Sequence, residues 1–255
     1  MDFAHARAPD AKFLRARIAA MPPEITSIAT NLERVRERVA RAAKRAGRHT
    51  QEITIVAVSK TFPPEAIRAA YDAGLQHFGE NRVQEFEAKQ SKLADIDAVW
   101  HFVGHLQSNK ARRAAHLFDH IDAVDTLSLA KKLDLDAAAE RKRLPILIEV
   151  HLGDERSKSG VAEAELSTLA ESLLPLPHLE LRGLMAVPPY FDDAERARPY
   201  FRKLRELRDD LSRRINQALP VLSMGMSHDF EVAIEEGATE IRLGNALFGE
   251  RQAIP

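Results

Sequence analysis

The sequence of 255 residues contains no cysteine, and this absence excludes disulfide bonds, thiolate zinc sites and cysteine nucleophiles together. It also lacks an excess of charge of either sign, since 37 Lys and Arg residues oppose 38 Asp and Glu residues. A formal charge of -1 gives no broad positive field that would attract nucleic acid or an anionic membrane. We therefore expect a small-molecule partner and a reducing, cytoplasmic setting.

Long apolar runs are missing as well. No run approaches the roughly 20 residues that a membrane-spanning helix needs, and the N-terminus lacks the apolar segment of a secretory signal. We expect a soluble protein without membrane contact. Residues 1–30 fit none of the pattern that follows, so they are predicted to form a peripheral extension before a single domain over residues 31–255.

The rest of the chain alternates between strand and helix patterns. ITIVAV (53–58) is continuous and β-branched, which is typical of a parallel strand covered on both faces. Helices are predicted before it, over 31–47, and after it, from Pro64 to Gly74. Seven more strands are predicted at 76–79, 99–103, 120–124, 146–152, 181–187, 221–224 and 240–243. Helices are predicted between them at 87–94, 109–118, 127–142, 163–174, 194–219 and 228–237.

Eight such alternations predict a single α/β domain with the (β/α)8 TIM barrel fold. A doubly wound open sheet is the alternative. The first strand-to-helix turn, SKTFPPE (59–65), argues against that sheet because it lacks the Gly-x-Gly-x-x-Gly pattern of dinucleotide sites.

In a barrel of this kind the active site forms from the loops that follow the strands. Lys60 follows the first strand, whereas SMGMS (223–227) and RLGN (242–245) follow the seventh and eighth. Barrels often bind phosphate between those last two loops, and small or hydroxyl residues suit that role. Ser227 is also predicted to open a helix there, although capping and turn formation explain each of these residues equally well when taken alone.

A lysine and a phosphate site on one mouth point to a phosphorylated carbonyl compound, since a deprotonated amine attacks an aldehyde to give a Schiff base. Pyridoxal phosphate carries both groups. Arg242 is always protonated and can only donate hydrogen bonds, so opposite a pyridine nitrogen it would leave that nitrogen unprotonated. The cofactor would then be a weaker electron sink.

Several long motifs carry a resemblance to a known family. They are AVSKTFPPEAI, FGENRVQE, WHFVGHLQSNKAR, GDERSKSGV, LRGLMAVP and LSMGMSHDFEVAIEEGATEIRLGNALFG. Together they closely resemble the pyridoxal phosphate homeostasis protein family, in the family's order and over about residues 31–251.

The resemblance implies a barrel like the N-terminal domain of alanine racemase, a fold-type III pyridoxal phosphate barrel without the C-terminal β domain. It implies pyridoxal 5′-phosphate as cofactor, held as an aldimine on Lys60. The other cofactor-binding residues that it implies are Asn81 and Met185 near the cofactor, Ser223, Gly244 and Asn245 at the phosphate with Ser227 assisting, and Arg242 at the ring nitrogen. His228 stands where an acidic residue is more usual in this family, which leaves its role open.

The implied function is to carry and buffer the cofactor in the cell (vitamin B6 homeostasis), with no established catalytic activity and no catalytic residue or metal assigned. Apo-enzymes that use the cofactor are expected partners, and nucleic acid and membranes are not. The chain is expected to be a monomer.

Three enzyme alternatives stay open. One is a pyridoxal phosphate racemase or lyase with His105 or His151 as base, and another is a Schiff-base aldolase without cofactor. A metal hydrolase using His101, His105 and His151 is disfavoured, because its first strand would need paired histidines and offers Ser59-Lys60. The arginine-rich segment 193–217 is interpreted as an exposed helix with ion pairs along its own length, not as a nucleic-acid site.

Overall fold

Eight parallel strands close into a barrel in the computed structural model, which describes residues 23–153 and 159–249. The strands follow one another in chain order, and the last pairs with the first. They are β1 Thr54–Val58, β2 His77–Glu80, β3 Val99–Phe102, β4 His120–Val124, β5 Leu144–Glu149, β6 Leu179–Met185, β7 Val221–Ser223 and β8 Glu240–Leu243. The predicted (β/α)8 barrel is confirmed, and its first strand does follow a helix.

Helices cover the outside of the barrel. They are α1 Pro23–Arg45, α2 Pro64–Asp72, α3 Val83–Gln90, α4 Ala111–Leu117, α5 Leu127–Ala139, α6 Glu163–Leu173, α7 Arg198–Arg214, α8 Phe230–Glu235 and α9 Asn245–Phe248. Short 3-10 turns precede several of these elements, at Thr50–Glu52, Ser108–Lys110 and Ala194–Ala197. Pro199 explains the last of these turns, because a proline fits the first turn of a helix but not its interior.

Several predicted element boundaries are wrong, most clearly the starts of α1 and α3. Helix α1 begins at Pro23 instead of residue 31, and Ile28 and Ala29 are buried against the barrel core. Residues 28–30 therefore pack with the barrel and are not part of a peripheral extension, while residues 1–22 lie outside the described part of the chain. Helix α3 begins at Val83, not residue 87, because Val83 and Phe86 supply its buried face.

The barrel interior divides into an apolar and a polar part. Ala123, Leu147 and Met185 form a small buried apolar cluster. The polar part consists of residues from β3, β4, β7 and β8 that hydrogen-bond or lie in ion-pair range of one another: His101, Asp122, Ser223, Glu240 and Arg242. Charged groups in such a place need partners, because an unpaired buried charge is costly.

Helix α7 uses its arginines differently from the prediction. Arg198, Arg202 and Arg205 reach the carboxylate of Glu236 at the end of α8, and Arg198 also binds Glu235. Some pairs within the helix exist as well, such as Arg213 with Asp210. The prediction of pairs along one exposed helix was therefore incomplete, because the main pairs join two neighbouring elements.

No helix in the described residues is long and apolar enough to cross a membrane.

Candidate cofactor site

A cleft of ≈ 320 Å³ lies at the carboxyl-terminal end of the strands. The residues that line it follow β1, β2, β3, β5 and β6: Lys60, Asn81, Val103, Gly104, His105, Glu149, Val150, His151, Ser159 and Val187. Its volume falls in the range of small-molecule sites, roughly 300–1,000 Å³. Its position at the carboxyl-terminal end of the strands is also where barrel enzymes bind their ligands.

The backbone on both sides of Lys60 is fixed by carboxylates, that of Glu80 buried and that of Glu85 partly exposed. Ser59 is fully buried, and its hydroxyl donates to Glu80 Oε1 at 2.7 Å. The N–H of Thr61 donates to Glu85 Oε1 at 2.5 Å, with Thr61 in the left-handed region at φ 70°. A threonine rarely adopts that conformation without support. These bonds set the direction in which the lysine leaves the strand.

Lys89 on α3 holds those two supports together. Its buried ammonium donates to Glu80 Oε1 at 3.0 Å, to Glu85 Oε1 at 2.8 Å and to the Ser59 carbonyl at 3.1 Å. Burial raises the pKa of Glu80 against the opposing effect of Lys89. The sequence analysis missed Lys89 and Glu85; their one signal was the Glu–Lys pair four residues apart, which is common on any helix.

Asn81 lies against Gly104, and the two positions depend on each other. A Cβ on residue 104 would come within 2.7 Å of the Asn81 Cβ and 2.8 Å of its carbonyl oxygen. Real side chains do not approach so closely, so only glycine lets Asn81 lie at this edge of the cleft.

Glu149 adds a buried carboxyl group to the cleft. Its Oε1 accepts from Ser159 at 2.9 Å, and its Oε2 is buried with no hydrogen-bond partner among the described residues. Burial raises the pKa of Glu149, although the Ser159 hydrogen bond and the charge of Arg242 oppose that shift. Sequence reasoning missed this residue, because a single glutamate at a strand end has no distinguishing pattern.

A histidine–carboxylate pair lies at the rim of the cleft. His105 is largely exposed, and its Nδ1 is 3.4 Å from Asp125 Oδ2. His151 lines the same cleft, whereas His101 lies inside the barrel and contacts Asp122. The three histidines of the hydrolase alternative are therefore not brought together.

The loops after β7 and β8 touch each other. Ser227 Oγ accepts from the backbone N–H of Ala246 at 3.1 Å, next to Gly244 and Asn245. Ser227 does not open a helix as predicted. The helix begins at Phe230, because the Asp229 carboxylate accepts from the Met226 N–H and makes residues 227–229 a turn.

Arg242 is buried beneath these loops. It donates to Ser223 Oγ at 2.6 Å and to the Ala186 carbonyl at 2.8 Å. Ser223 in turn donates to Glu240 Oε1 at 2.6 Å. Burial raises the pKa of Glu240. Arg242 therefore presents a fixed cation, held by a serine and a carbonyl, within the upper part of the barrel.

Three histidines in the barrel interior differ in the direction of their pKa shifts. Burial lowers the pKa of His77 and of His120 to about 4. Burial also acts to lower the pKa of His101, but the nearby charge and hydrogen bond of Asp122 raise it to about 9. His101 and Asp122 therefore form an ion pair at neutral pH.

The eight predicted site residues fall into three groups. Lys60 and Asn81 line the cleft. Ser223 and Arg242 are bonded to each other, and Ser227 bonds the turn that contains Gly244 and Asn245. Met185 is buried in the apolar interior cluster and does not line the cleft.

The side chain of His228 hydrogen-bonds the Asp192 carbonyl, at the protein surface. Of the predicted loop GDERSKSG, residues 154–158 lie outside the described residues.

Comparisons with known proteins agree over most of the chain. The model of the family "Alanine racemase, N-terminal domain" matches residues 30–252. The pyridoxal phosphate homeostasis protein of Aquifex aeolicus is 50% identical over 221 residues, covering 87% of this chain and 97% of its own length. That of Pseudomonas aeruginosa is 46% identical over 229 residues, covering 89% and 97%.

Solved structures give the same result. PipY of Synechococcus elongatus, solved with pyridoxal phosphate bound, is 39% identical with a TM-score of 0.78, over 87% of this chain and all of that one (100%). Alanine racemase from Corynebacterium glutamicum is 20% identical with a TM-score of 0.67, over 91% of this chain and 64% of that one. The second likeness concerns the fold alone.

Proposed function

The chain belongs to the pyridoxal phosphate homeostasis protein family, and from this premise we propose that it binds pyridoxal 5′-phosphate at Lys60 and serves in the homeostasis of that cofactor. The observation that carries the proposal is that Lys60 lines the cleft at the carboxyl end of a closed barrel. A lysine at that place can react with a bound aldehyde.

The residues around the cleft fit this cofactor. Gly104 lacks the Cβ that would collide with Asn81, and the cleft has room for a small aromatic molecule. The loops after β7 and β8 are joined by the bond between Ser227 and Ala246, so their small residues can surround one anionic group. Arg242 supplies a buried donor on the same side of the barrel.

Bound pyridoxal phosphate supplies an aldehyde that condenses with a lysine amine, with loss of water. The chain's own residues position and hold the cofactor. We assign the covalent contact to Lys60, with Asn81 beside it and Met185 beneath. Ser223, Ser227, Gly244 and Asn245 are assigned to the phosphate group. Arg242 would donate toward the ring nitrogen of the bound cofactor, and that nitrogen would then carry no proton.

A carrier or buffer role fits these assignments better than catalysis. Arg242 opposite the ring nitrogen weakens the cofactor as an electron sink, which disfavours carbanion chemistry. The partners that we propose are the cofactor and apo-enzymes that use it, with the chain acting in the cytoplasm as a monomer. The described residues, 23–153 and 159–249, are proposed to belong to a single cofactor-binding domain, which starts with α1 and not at residue 31.

The competing function is a pyridoxal phosphate racemase or lyase. The pair of His105 with Asp125, and the buried carboxyl of Glu149, favour it because each could move a proton at the cleft. Amino acids incubated with the cofactor-loaded protein would then be turned over.

An activity and transfer experiment separates the two functions. The loaded protein is incubated with an apo-enzyme that needs the cofactor, and separately with amino acids in a chiral assay. The carrier function predicts recovery of the apo-enzyme's activity and no amino-acid turnover, with Lys92→Ala behaving like the wild type. Robust turnover that is abolished by Lys60→Ala would instead establish an enzyme.

A further inference from the structure

Three histidines and one aspartate lie together at the amino-terminal end of the barrel, opposite the cleft of Lys60. His77 and His120 are the first residues of β2 and β4, and His101 lies on β3 between those strands. His101 and His120 are partners across the β3–β4 ladder, so their side chains share a face of the sheet. Asp122 follows two residues after His120 and contacts His101.

The ligand atoms of these residues lie close together. His101 Nδ1 is 2.9 Å from Asp122 Oδ2, and the rings of His101 and His120 have centroids 4.4 Å apart. One ligand atom each from His101, His120 and Asp122 lies within 4.8 Å of the other two. This spacing is wider than the roughly 3.4 Å between ligand atoms around one tetrahedral metal ion, so binding requires a side-chain adjustment.

A second observation concerns the other oxygen of Asp122. The residue is fully buried, and Oδ1 has no hydrogen-bond partner among residues 23–153 and 159–249. Buried carboxylate oxygens are nearly always paired, because an unpaired one loses its solvation without compensation. A cation bound between this oxygen and the two imidazoles would supply the partner that the oxygen lacks.

We propose that His101, His120 and Asp122 form a binding site for a divalent transition-metal ion, of which Zn²⁺ is the best match. Around Zn²⁺ the ligand bonds are about 2.0–2.2 Å, so tetrahedral ligand atoms lie roughly 3.4 Å apart. The half-buried His120, at the start of its strand, can close the remaining gap of at most about 1.4 Å, the difference between 4.8 Å and roughly 3.4 Å, by a side-chain rotation.

His77 supports the site from the other side of His101. Its Nδ1 is 3.0 Å from His101 Nε2, so it can accept the N–H of a His101 that releases its Nδ1 proton to solvent and binds the metal through Nδ1. Metal-binding histidines almost always donate their second ring N–H to such an acceptor, which fixes the ring. The cluster thus has three ligands and one orienting neighbour.

The ligand set selects the class of metal. Two imidazoles and one carboxylate suit Zn²⁺, Ni²⁺, Co²⁺ or Cu²⁺, whereas Mg²⁺ and Ca²⁺ prefer oxygen ligands throughout. His77 and His120 are both half-buried, so an ion can reach the cluster from the amino-terminal end of the barrel. The site requires no bound cofactor and does not involve Lys60.

Titration of ZnCl₂ into chelator-treated, tag-free protein tests the site by calorimetry. We expect one saturable equivalent in the wild type and in Lys60→Ala, and no response to Mg²⁺. His120→Ala and Asp122→Asn should weaken the affinity at least about tenfold, because each removes a ligand. His116→Ala changes an exposed histidine outside the cluster and should bind Zn²⁺ like the wild type.

Thermal melting keeps the test valid if a variant is less stable. Zn²⁺ should raise the melting temperature of the wild type and of His116→Ala but not that of His120→Ala, since only the native site binds the ion. The proposal is overturned if no saturable binding occurs. It is equally overturned if binding survives His120→Ala and Asp122→Asn, or is lost instead with the cleft variant His105→Ala.

Discussion

At the scale of single residues, the position of Lys60 depends on the buried ion pair of Lys89 with Glu80. Lys89 is 8% exposed and Glu80 is 0% exposed, so neither charge is hydrated by bulk water. Both contact Ser59, the residue before Lys60. The position of Lys60 therefore depends on two residues, Lys89 and Glu80, that lie outside the cleft.

Lys89→Met should destabilise the fold by roughly 3–5 kcal/mol, because it leaves the carboxylate of Glu80 buried without its partner. Urea unfolding measures this change. Lys92→Met, on an exposed lysine nearby, serves as the control and should change stability by less than about 1 kcal/mol. The double variant Lys89→Met/Glu80→Gln should recover much of the loss. Equal effects of Lys89→Met and Lys92→Met would contradict the account.

Glu149→Gln should change how stability depends on pH. Burial raises the pKa of Glu149 above its unfolded value, so the folded state favours the protonated form. Its contribution is thus fully present below the unfolded pKa, about 4.3 for glutamate, and is lost as the pH rises through the folded pKa. Glutamine does not titrate and keeps an acceptor for Ser159.

The melting temperature of Glu149→Gln relative to wild type should therefore increase between pH 4 and pH 7. Glu65→Gln, at an exposed glutamate, should show no such trend. A difference that stays constant over this range, or falls, would show that the carboxyl of Glu149 does not titrate as its burial requires.

At the scale of elements, the β7–α8 loop depends on one backbone conformation. Gly225 has φ +92°, and a Cβ there would come within 2.6 Å of the Ala233 Cβ and 3.0 Å of the Phe230 Cα. The loop can lie this close to α8 only because residue 225 has no side chain. The position of Ser227, two residues later, follows from that contact.

Gly225→Ala should lower the free energy of unfolding by about 1–3 kcal/mol and weaken cofactor binding, because the displaced loop moves Ser227 away from Ala246. Gly47→Ala is a matched control, since Gly47 also has positive φ, +66°, but has nothing within 4 Å of an added Cβ. Chemical unfolding and cofactor titration of both variants measure the two effects. Normal binding by a folded Gly225→Ala protein would argue against this loop as a phosphate contact.

The carboxylates of α8 join that helix to its neighbours. Glu235 pairs with Arg45 of α1 and Arg198 of α7, and Glu236 with three arginines of α7. Burial acts to raise the pKa of both glutamates, but the arginine hydrogen bonds prevail and lower it. Their contribution to stability is therefore present above the unfolded pKa and is lost as the pH falls through the folded pKa.

Glu236→Gln should reduce stability at pH 7, and the deficit should shrink as the pH falls below about 4 or as salt is added. Melting curves at several pH values and at low and high ionic strength give the measurement. Glu206→Gln, at an exposed glutamate of α7 that takes no part in these pairs, is the comparison. A deficit that grows on acidification would have the wrong sign for a lowered pKa.

At the scale of the whole molecule, the barrel could be predicted because short strand patterns alternate with helix patterns eight times along the chain. In ITIVAV at β1 and in the six residues of β5, buried side chains lie on both faces of the strand, which gives a continuous apolar pattern. The start of α1 could not be predicted in the same way. This helix begins at the second of two adjacent prolines, Pro22 and Pro23, and such a pair resembles a linker more than a helix start.

The candidate site also contains residues that could be predicted from the sequence and residues that could not. Lys60 and Asn81 could be predicted because they directly follow strands, and strand ends meet at the barrel mouth. Glu149 and the interior cluster could not, since their contacts depend on register. His77 and His101 are 24 positions apart in sequence, and no local pattern indicates that His77 Nδ1 lies 3.0 Å from His101 Nε2.

The central claim is that Lys60 holds pyridoxal phosphate covalently, and borohydride reduction with peptide mass mapping tests it most directly. The loaded protein is reduced, digested and sequenced by mass spectrometry beside Lys60→Ala and Lys92→Ala. The account predicts the pyridoxyl mass on the peptide that contains Lys60, in the wild type and in Lys92→Ala but not in Lys60→Ala. Absence of the mass from every peptide, or its presence on another lysine such as Lys89 or Lys110, would contradict it.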